Sequence, residues 1–134
     1  MSKKIFCAAL VLFLAAATGA FAQASSFQGS CSNIAFAYQG SQPAVTATCV
    51  KADGSPNVTS LVLQGISNQN GRLVQGSGTS SFQQSCGNTQ IVVSPDGNSV
   101  SLSAICRTSS GSGNVSTLPL NGITNQNGTL RQGG

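Results

Sequence analysis

The stretch NVTSLVLQGISNQNGRL, Asn57 to Leu73, returns later in the chain as NVSTLPLNGITNQNGTL, Asn114 to Leu130. Upstream of it, SSFQGSC (Ser25 to Cys31) returns as SSFQQSC (Ser80 to Cys86). Cys49 then matches Cys106. A single two-residue insertion near the Pro95-Asp96-Gly97 segment brings all the matches into one alignment. Similarity this dense marks an internal duplication, and a duplication decides architecture before any local reading does. Repeat one spans 25–76 and repeat two spans 80–134. The linker Gly76-Ser77-Gly78-Thr79 is flexible by composition.

Each copy reads as short strands. Val100, Leu102, Ala104 and Cys106 alternate with Ser101, Ser103 and Ile105, a period of two with one apolar face. Val45, Ala47 and Cys49 alternate with Thr46 and Thr48 in the same way. Further strands are expected over Ile34–Tyr38, Val58–Leu63 and Ile91–Val93. Ser94-Pro95-Asp96-Gly97 is a turn between two strands. Asn70-Gly71 and Asn127-Gly128 are hairpin turns, because Asn-Gly tolerates the positive φ of a type I′ turn. Pro119 cannot donate to a ladder, so its strand is an edge or ends there. The repeated Phe27 and Phe82 are core anchors, joined by Leu61, Leu63, Ile66, Leu73, Leu118, Leu120, Ile123 and Leu130.

The N-terminus reads as a secretory leader, residues 1–24. Lys3 and Lys4 precede an apolar run from Ile5 to Ala17, and Ala20-Phe21-Ala22 and Ala22-Gln23-Ala24 both suit signal peptidase. Cleavage is expected after residue 22 or 24, leaving 25–134 as the folded domain. The run is shorter than the roughly 20 residues of a membrane span; the alternative is an uncleaved interfacial anchor. The expected location is extracellular or periplasmic. Cys7 leaves with the leader. Cys31, Cys49, Cys86 and Cys106 remain, an even number that reads as disulfides in a small exported chain. Four cysteines allow three connectivities. If each copy closes its own loop, the bridges are Cys31–Cys49 and Cys86–Cys106. Zinc would need closely spaced Cys or His pairs, and the chain has no such pair and no His.

Charge restricts the function further. Beyond the leader, Lys51, Arg72, Arg107 and Arg131 stand against Asp53 and Asp96, and there is no Glu. The cations are scattered, whereas nucleic-acid binding wants a dense basic stripe. Both acids sit in Asp-Gly turns, where turn formation accounts for them. Paired-carboxylate hydrolysis and general acid–base work therefore lack their residues. No enzyme activity and no cofactor are expected.

Several of these motifs occur together. Phe27, Cys31, Cys49, Leu61, Leu63, Ile66 and Asn68-Gln69-Asn70-Gly71-Arg72-Leu73 recur as their second-copy equivalents, and Ser85-Cys86-Gly87-Asn88-Thr89-Gln90 gives the second copy its own wording. This set, spread over the whole chain beyond the leader, resembles the cyanovirin-N homology domain family. The resemblance implies an all-β fold of two pseudosymmetric halves, each a three-stranded antiparallel sheet plus a β-hairpin. Strand exchange would place roughly 25–64 with 123–134 in one half and 65–122 in the other. It also implies a lectin that binds oligosaccharides or glycoproteins without metal, typically terminal α1,2-linked mannose in mannose-rich glycans. Some members form domain-swapped dimers through the linker. Here the linker is longer than in the founding member and lacks its proline, so a monomer is expected.

The resemblance puts a sugar site at each end. Sugars present hydroxyls and little charge, so pre-placed amides, hydroxyls and backbone groups hold them. At the weaker end the matching positions are Ser26, Gly29, Ser30, Val50, Ala52, Asn125, Gln126 and Asn127. Val50 and Ala52 stand where the family places a carboxylate and a hydroxyl. At the better-furnished end they are Ser67, Asn68, Asn70, Ser81, Gln84, Ser85, Arg107 and Ser109. Gln84 and Asn70 replace acids, and Arg107 supplies a donor fork. For Asn68 and Asn125, turn formation is an equal alternative; for Arg107 it is a solvated charge. Asn57, Asn114 and Asn127 each head a glycosylation sequon. Two rival functions use the same fold: a protein-binding module, and a structural cell-surface or matrix protein.

Overall fold

The computed structural model describes residues 23–133; the leader up to residue 22, with Cys7, lies outside the described residues. Ten strands follow one another: β1 (Cys31–Gln39), β2 (Gln42–Val50), β3 (Pro56–Val62), β4 (Ile66–Gln69), β5 (Arg72–Gln75), β6 (Cys86–Val93), β7 (Val100–Arg107), β8 (Gly113–Pro119), β9 (Ile123–Gln126) and β10 (Thr129–Gln132). They form two three-stranded sheets, β1-β2-β3 and β6-β7-β8, and two hairpins, β4-β5 and β9-β10. Every pairing is antiparallel. Among the described residues the only helical pieces are 3₁₀ turns at Phe27–Gly29 and Phe82–Gln84. No helix of the described residues is long and apolar enough to cross a membrane.

The hairpins are exchanged between the repeats. The β4-β5 hairpin of repeat one packs on β8: Leu73 N–H donates to Ser116 Oγ at 2.9 Å, and Asn114 Nδ2 donates to the Gly71 carbonyl at 2.8 Å. The β9-β10 hairpin of repeat two packs on β3 in the same way, through Leu130 N–H to Thr59 Oγ1 and Asn57 Nδ2 to the Gly128 carbonyl. Each half of the molecule is thus built from both repeats, as the resemblance implies.

Alternation governs which residues enter the core. β7 buries Val100, Leu102, Ala104 and Cys106 and turns Ser101, Ser103, Ile105 and Arg107 outward. Phe27 and Phe82 are fully buried, with Leu63, Ile66, Leu73, Leu120, Ile123 and Leu130 around them. Leu61 and Leu118 are half-buried against the same cluster. The disulfides are Cys31–Cys49 and Cys86–Cys106, each joining residues that are direct partners across two strands.

Turn chemistry follows its residues. Asn70 and Gly71 adopt φ of 54° and 88°, and Asn127 and Gly128 adopt 52° and 87°, both central residues in the left-handed region as a type I′ turn requires. Pro119 ends β8, an edge strand. The two-residue insertion lies where expected, since β1 and β2 are joined through Gly40 and Ser41 while β6 and β7 are joined through residues 94–99. One feature differs from the simple strand reading. β1 and β6 extend back to the cysteines, each with a bulge between Ser32 and Ala35 or Gly87 and Gln90. Asn33 and Asn88 sit there at φ of 54° and 50°. An asparagine in the left-handed region lets the strand kink past the disulfide and resume pairing.

Candidate functional site

At the end carrying Arg107, three segments converge. The Asn68 side chain on β4 is fully engaged: Nδ2 donates to Ser85 Oγ at 2.9 Å and to the Arg107 carbonyl at 3.0 Å, and Oδ1 accepts from Gly71 N–H at 2.7 Å. One amide thereby ties the hairpin turn to the residues before the first and after the second cysteine of repeat two. Asn70 Oδ1 accepts from the Ser109 amide at 2.8 Å and from its hydroxyl at 3.0 Å, which anchors the β7–β8 loop. The Arg107 N–H donates to the Ser85 carbonyl at 3.0 Å.

Beside this frame lies a cleft of about 370 Å³ lined by Gln84, Ser85 and Arg107 and, beyond them, Gly87, Ile105, Gly111, Ser112 and Gly113 over the Cys86–Cys106 bridge. Gln84, Ser85 and Arg107 were expected at a site; the others were not. Gly87 and Ile105 are partners across β6 and β7, and Gly113 is the partner of Arg107 on β8, so only the register of three strands brings them together. Ser67, Asn68, Asn70, Ser81 and Ser109 do not line this cleft. Ser67 Oγ instead accepts from Gln69 Nε2 at 3.1 Å, and Ser81 N–H donates to the Ile66 carbonyl at 2.9 Å. Among the described residues, the Arg107 guanidinium and the Gln84 amide have no side-chain hydrogen bond or ion pair, and both residues are exposed where they line the cleft.

The opposite end repeats the frame. Asn125 Nδ2 donates to Ser30 Oγ and to the Val50 carbonyl, both at 2.9 Å, and Asn125 Oδ1 accepts from Gly128 N–H at 2.7 Å. Asn127 Oδ1 accepts from Ala52 N–H at 2.8 Å. Gln126 Nε2 is bound within its own hairpin to Thr124 Oγ1. Ser26, by its N–H to the Ile123 carbonyl, and Gly29, by its N–H to Ser26, belong to the 3₁₀ turn. The furnishing differs from the other end. Gly29, Ser32, Thr48, Val50 and Pro56 stand in the places of Gln84, Gly87, Ile105, Arg107 and Gly113. Lys51 lies against this end as well, its stem packed beside Gly128.

The acids are turn residues, as expected. Asp53 accepts from the Ser55 hydroxyl and then its amide, and Asp96 from the Ser94 hydroxyl and the Asn98 amide. These bonds hold both carboxyls below their ordinary value. Among the described residues, no three His, Cys, Asp or Glu come together.

No family model and no curated protein matches the sequence. Solved structures do. A microvirin–mannobiose complex is 28% identical, with a TM-score of 0.61 over 81% of this chain and 99% of that one. TbCVNH from T. borchii gives the same figures. GzCVNH from Gibberella zeae is 26% identical, with a TM-score of 0.58 over 79% and 95%. The exchanged hairpins, the paired sheets and these likenesses agree: the chain has the fold of the cyanovirin-N homology family.

Proposed function

We propose that this protein is an exported lectin that holds oligosaccharides, without metal and without catalysis, in the cleft carrying Arg107. Mannose-rich glycans with terminal α1,2-linked mannose are the ligand class. The observation that carries this reading is the pairing of free donors with a locked frame. Arg107 and Gln84 face an open cleft with their side chains unengaged, while Asn68 and Asn70 hold the surrounding loops by hydrogen bonds. Unengaged donors on a backbone frame that needs no reordering suit an uncharged, hydroxyl-rich ligand. The microvirin likeness, whose structure contains mannobiose, supports the same class. The other end, with Val50 in place of Arg107, is the weaker site.

The leader is removed after Ala22 in this reading. The Gln23 carbonyl accepts from Gly122 N–H at 2.7 Å and Ala24 bridges Asn121, contacts that cleavage after Ala24 would lose. The mature protein acts as a monomer outside the cytoplasm.

A glycan array probed with the oxidised, secreted protein tests this, after intact mass has established Gln23 as its N-terminus. Binding to mannose-rich glycans that is lost in Arg107→Ala is the expected result. A blank array from folded protein would overturn it and turn attention to a protein ligand on the same fold.

A further inference from the structure

Ile105 is an apolar residue on a polar face. It points outward from β7 and is 39% exposed, while its outward neighbours along the strand are Ser103 and Arg107. Two glycines keep it uncovered. Gly87, its partner on β6, has open space where a side chain would stand. A Cβ on Gly113 would come within 3.0 Å of Ile105 Cγ2, so a bare backbone there is what lets the isoleucine lie where it does. On the other side Ile105 is paired with Val115, which is 68% exposed and continues the apolar strip. The first repeat keeps the valine, as Val58, but Ser32, Thr48 and Pro56 occupy the places of Gly87, Ile105 and Gly113. The two copies have therefore diverged at the floor of the cleft while keeping the Asn frame around it.

The rim of the same cleft is rich in donors. Arg107 offers a guanidinium and Gln84 an amide, and no carboxylate lines the cleft. No carboxylate therefore competes with a ligand oxygen for these donors. A carbonyl acceptor carried next to a methyl group matches what is present: donors at the rim, an isoleucine on the floor. The 2-acetamido group of an N-acetylhexosamine has this pair, and its N–H can donate to the Ser85 hydroxyl or the Gln84 carbonyl oxygen.

We infer that the Ile105 floor, opened by Gly87 and Gly113, is a subsite for the acetamido methyl of a 2-acetamido sugar, with Arg107 and Gln84 donating to the amide carbonyl. The inference rests on the carbohydrate-binding reading and adds, at the same cleft, a second sugar class beside mannose.

The experiment titrates the oxidised protein in parallel with two probes, a tetramer of N-acetylglucosamine and mannobiose, following affinity by calorimetry and the Gly87, Ile105 and Gly113 amides by NMR. The tetramer is expected to bind and to shift those amides. Ile105→Thr, which installs the first repeat's residue at an exposed position, is expected to lower the ratio of tetramer to mannobiose affinity about fourfold, the order of one methyl group's burial. Gly87→Ser, again the first repeat's residue, should lower that ratio too by covering the floor. Mannobiose binding without tetramer binding would overturn the subsite and leave the lectin reading standing. An unchanged ratio in both variants would also overturn it. Binding of neither probe would remove the lectin reading and the subsite together.

Discussion

The Ser80 hydroxyl donates to the Leu63 carbonyl at 2.6 Å and accepts from the Ile66 amide at 3.0 Å. It spans the tight corner where repeat one leaves its own sheet for the opposite half. Ser25 makes the equivalent pair, to the Leu120 carbonyl at 2.5 Å and from the Ile123 amide at 3.0 Å. Each serine is only 3% exposed. They satisfy backbone groups that strand exchange leaves buried and unpaired.

Ser80→Ala should therefore destabilise the fold by about 1–3 kcal/mol, because two buried backbone groups lose their partner at once. Ser25→Ala should cost a similar amount, and exposed Ser101→Ala much less. Urea unfolding monitored by circular dichroism checks all three.

Gly65 sits at the same corner with φ of +76°, and a Cβ there would overlap the Gly76 carbonyl oxygen. Gly65→Ala should cost at least about 2 kcal/mol, combining left-handed strain with a backbone clash that no rotamer relieves. Gly29→Ala, with open space and no positive φ, is the control. A thermal melt that leaves Gly65→Ala equal to Gly29→Ala would refute the account.

The bridges close sequence separations of 18 and 20 residues. Opening either should lower stability by about 3 kcal/mol through the freedom it returns to the unfolded chain. The midpoint of denaturation with and without reductant measures the sum. Cys31→Ala/Cys49→Ala and Cys86→Ala/Cys106→Ala apportion it.

Hydrogen bonds from Ser55 and from Ser94 depress the Asp53 and Asp96 carboxyls in the folded state. Groups whose folded value lies below the unfolded one add stability above the unfolded value, near pH 4, and lose it as pH falls through the lower folded value. The melting temperature should be level from pH 8 to about pH 5, since the chain has no His to titrate there, and decline only below about pH 4. Both carboxyls are solvent-exposed, so the decline should be shallow and flatter still in Asp53→Asn/Asp96→Asn.

Asn68 and Arg107 should separate by phenotype. Asn68→Ala removes three hydrogen bonds that lock the frame and should cost about 1–3 kcal/mol of stability together with glycan binding. Arg107→Ala should abolish binding and leave the melting temperature within about 1 °C, because its guanidinium supports nothing in the fold. Parallel melts and glycan titrations tell the two apart.

Much of this architecture could be read from residues alone. Duplication aligned Phe27 with Phe82 and each cysteine with its twin, and period two sorted β7 into its two faces. Asn70-Gly71 announced its turn because few other pairs accept two positive φ values in succession. The serine staples could not be read: Ser25 and Ser80 look like any other serines in a chain crowded with them, and their partners are supplied by the exchange. The bulges at Asn33 and Asn88 were hidden for a similar reason, since an asparagine inside a strand signals nothing until its neighbours' register is known. The lining of the cleft was legible where its residues flank cysteines, as Gln84, Ser85 and Arg107 do. Gly87, Ile105 and Gly113 are far apart in sequence and meet only across a sheet. Asn68 was ambiguous because a side chain that orders a loop and one that grips a sugar have the same composition.

Strand exchange also sets a schedule. Among the described strands, the hairpin that completes the first half, Ile123 to Gln132, is synthesised after all the others. Until it arrives, β3 lacks its partner and Phe27 lacks its cover from Ile123 and Leu130. The chain can form β1–β3 early but cannot finish either the core or the frame around its first end before that hairpin has been made. A copy interrupted before Ile123 therefore has its first half open, while every residue of the cleft carrying Arg107 is already in place along the chain.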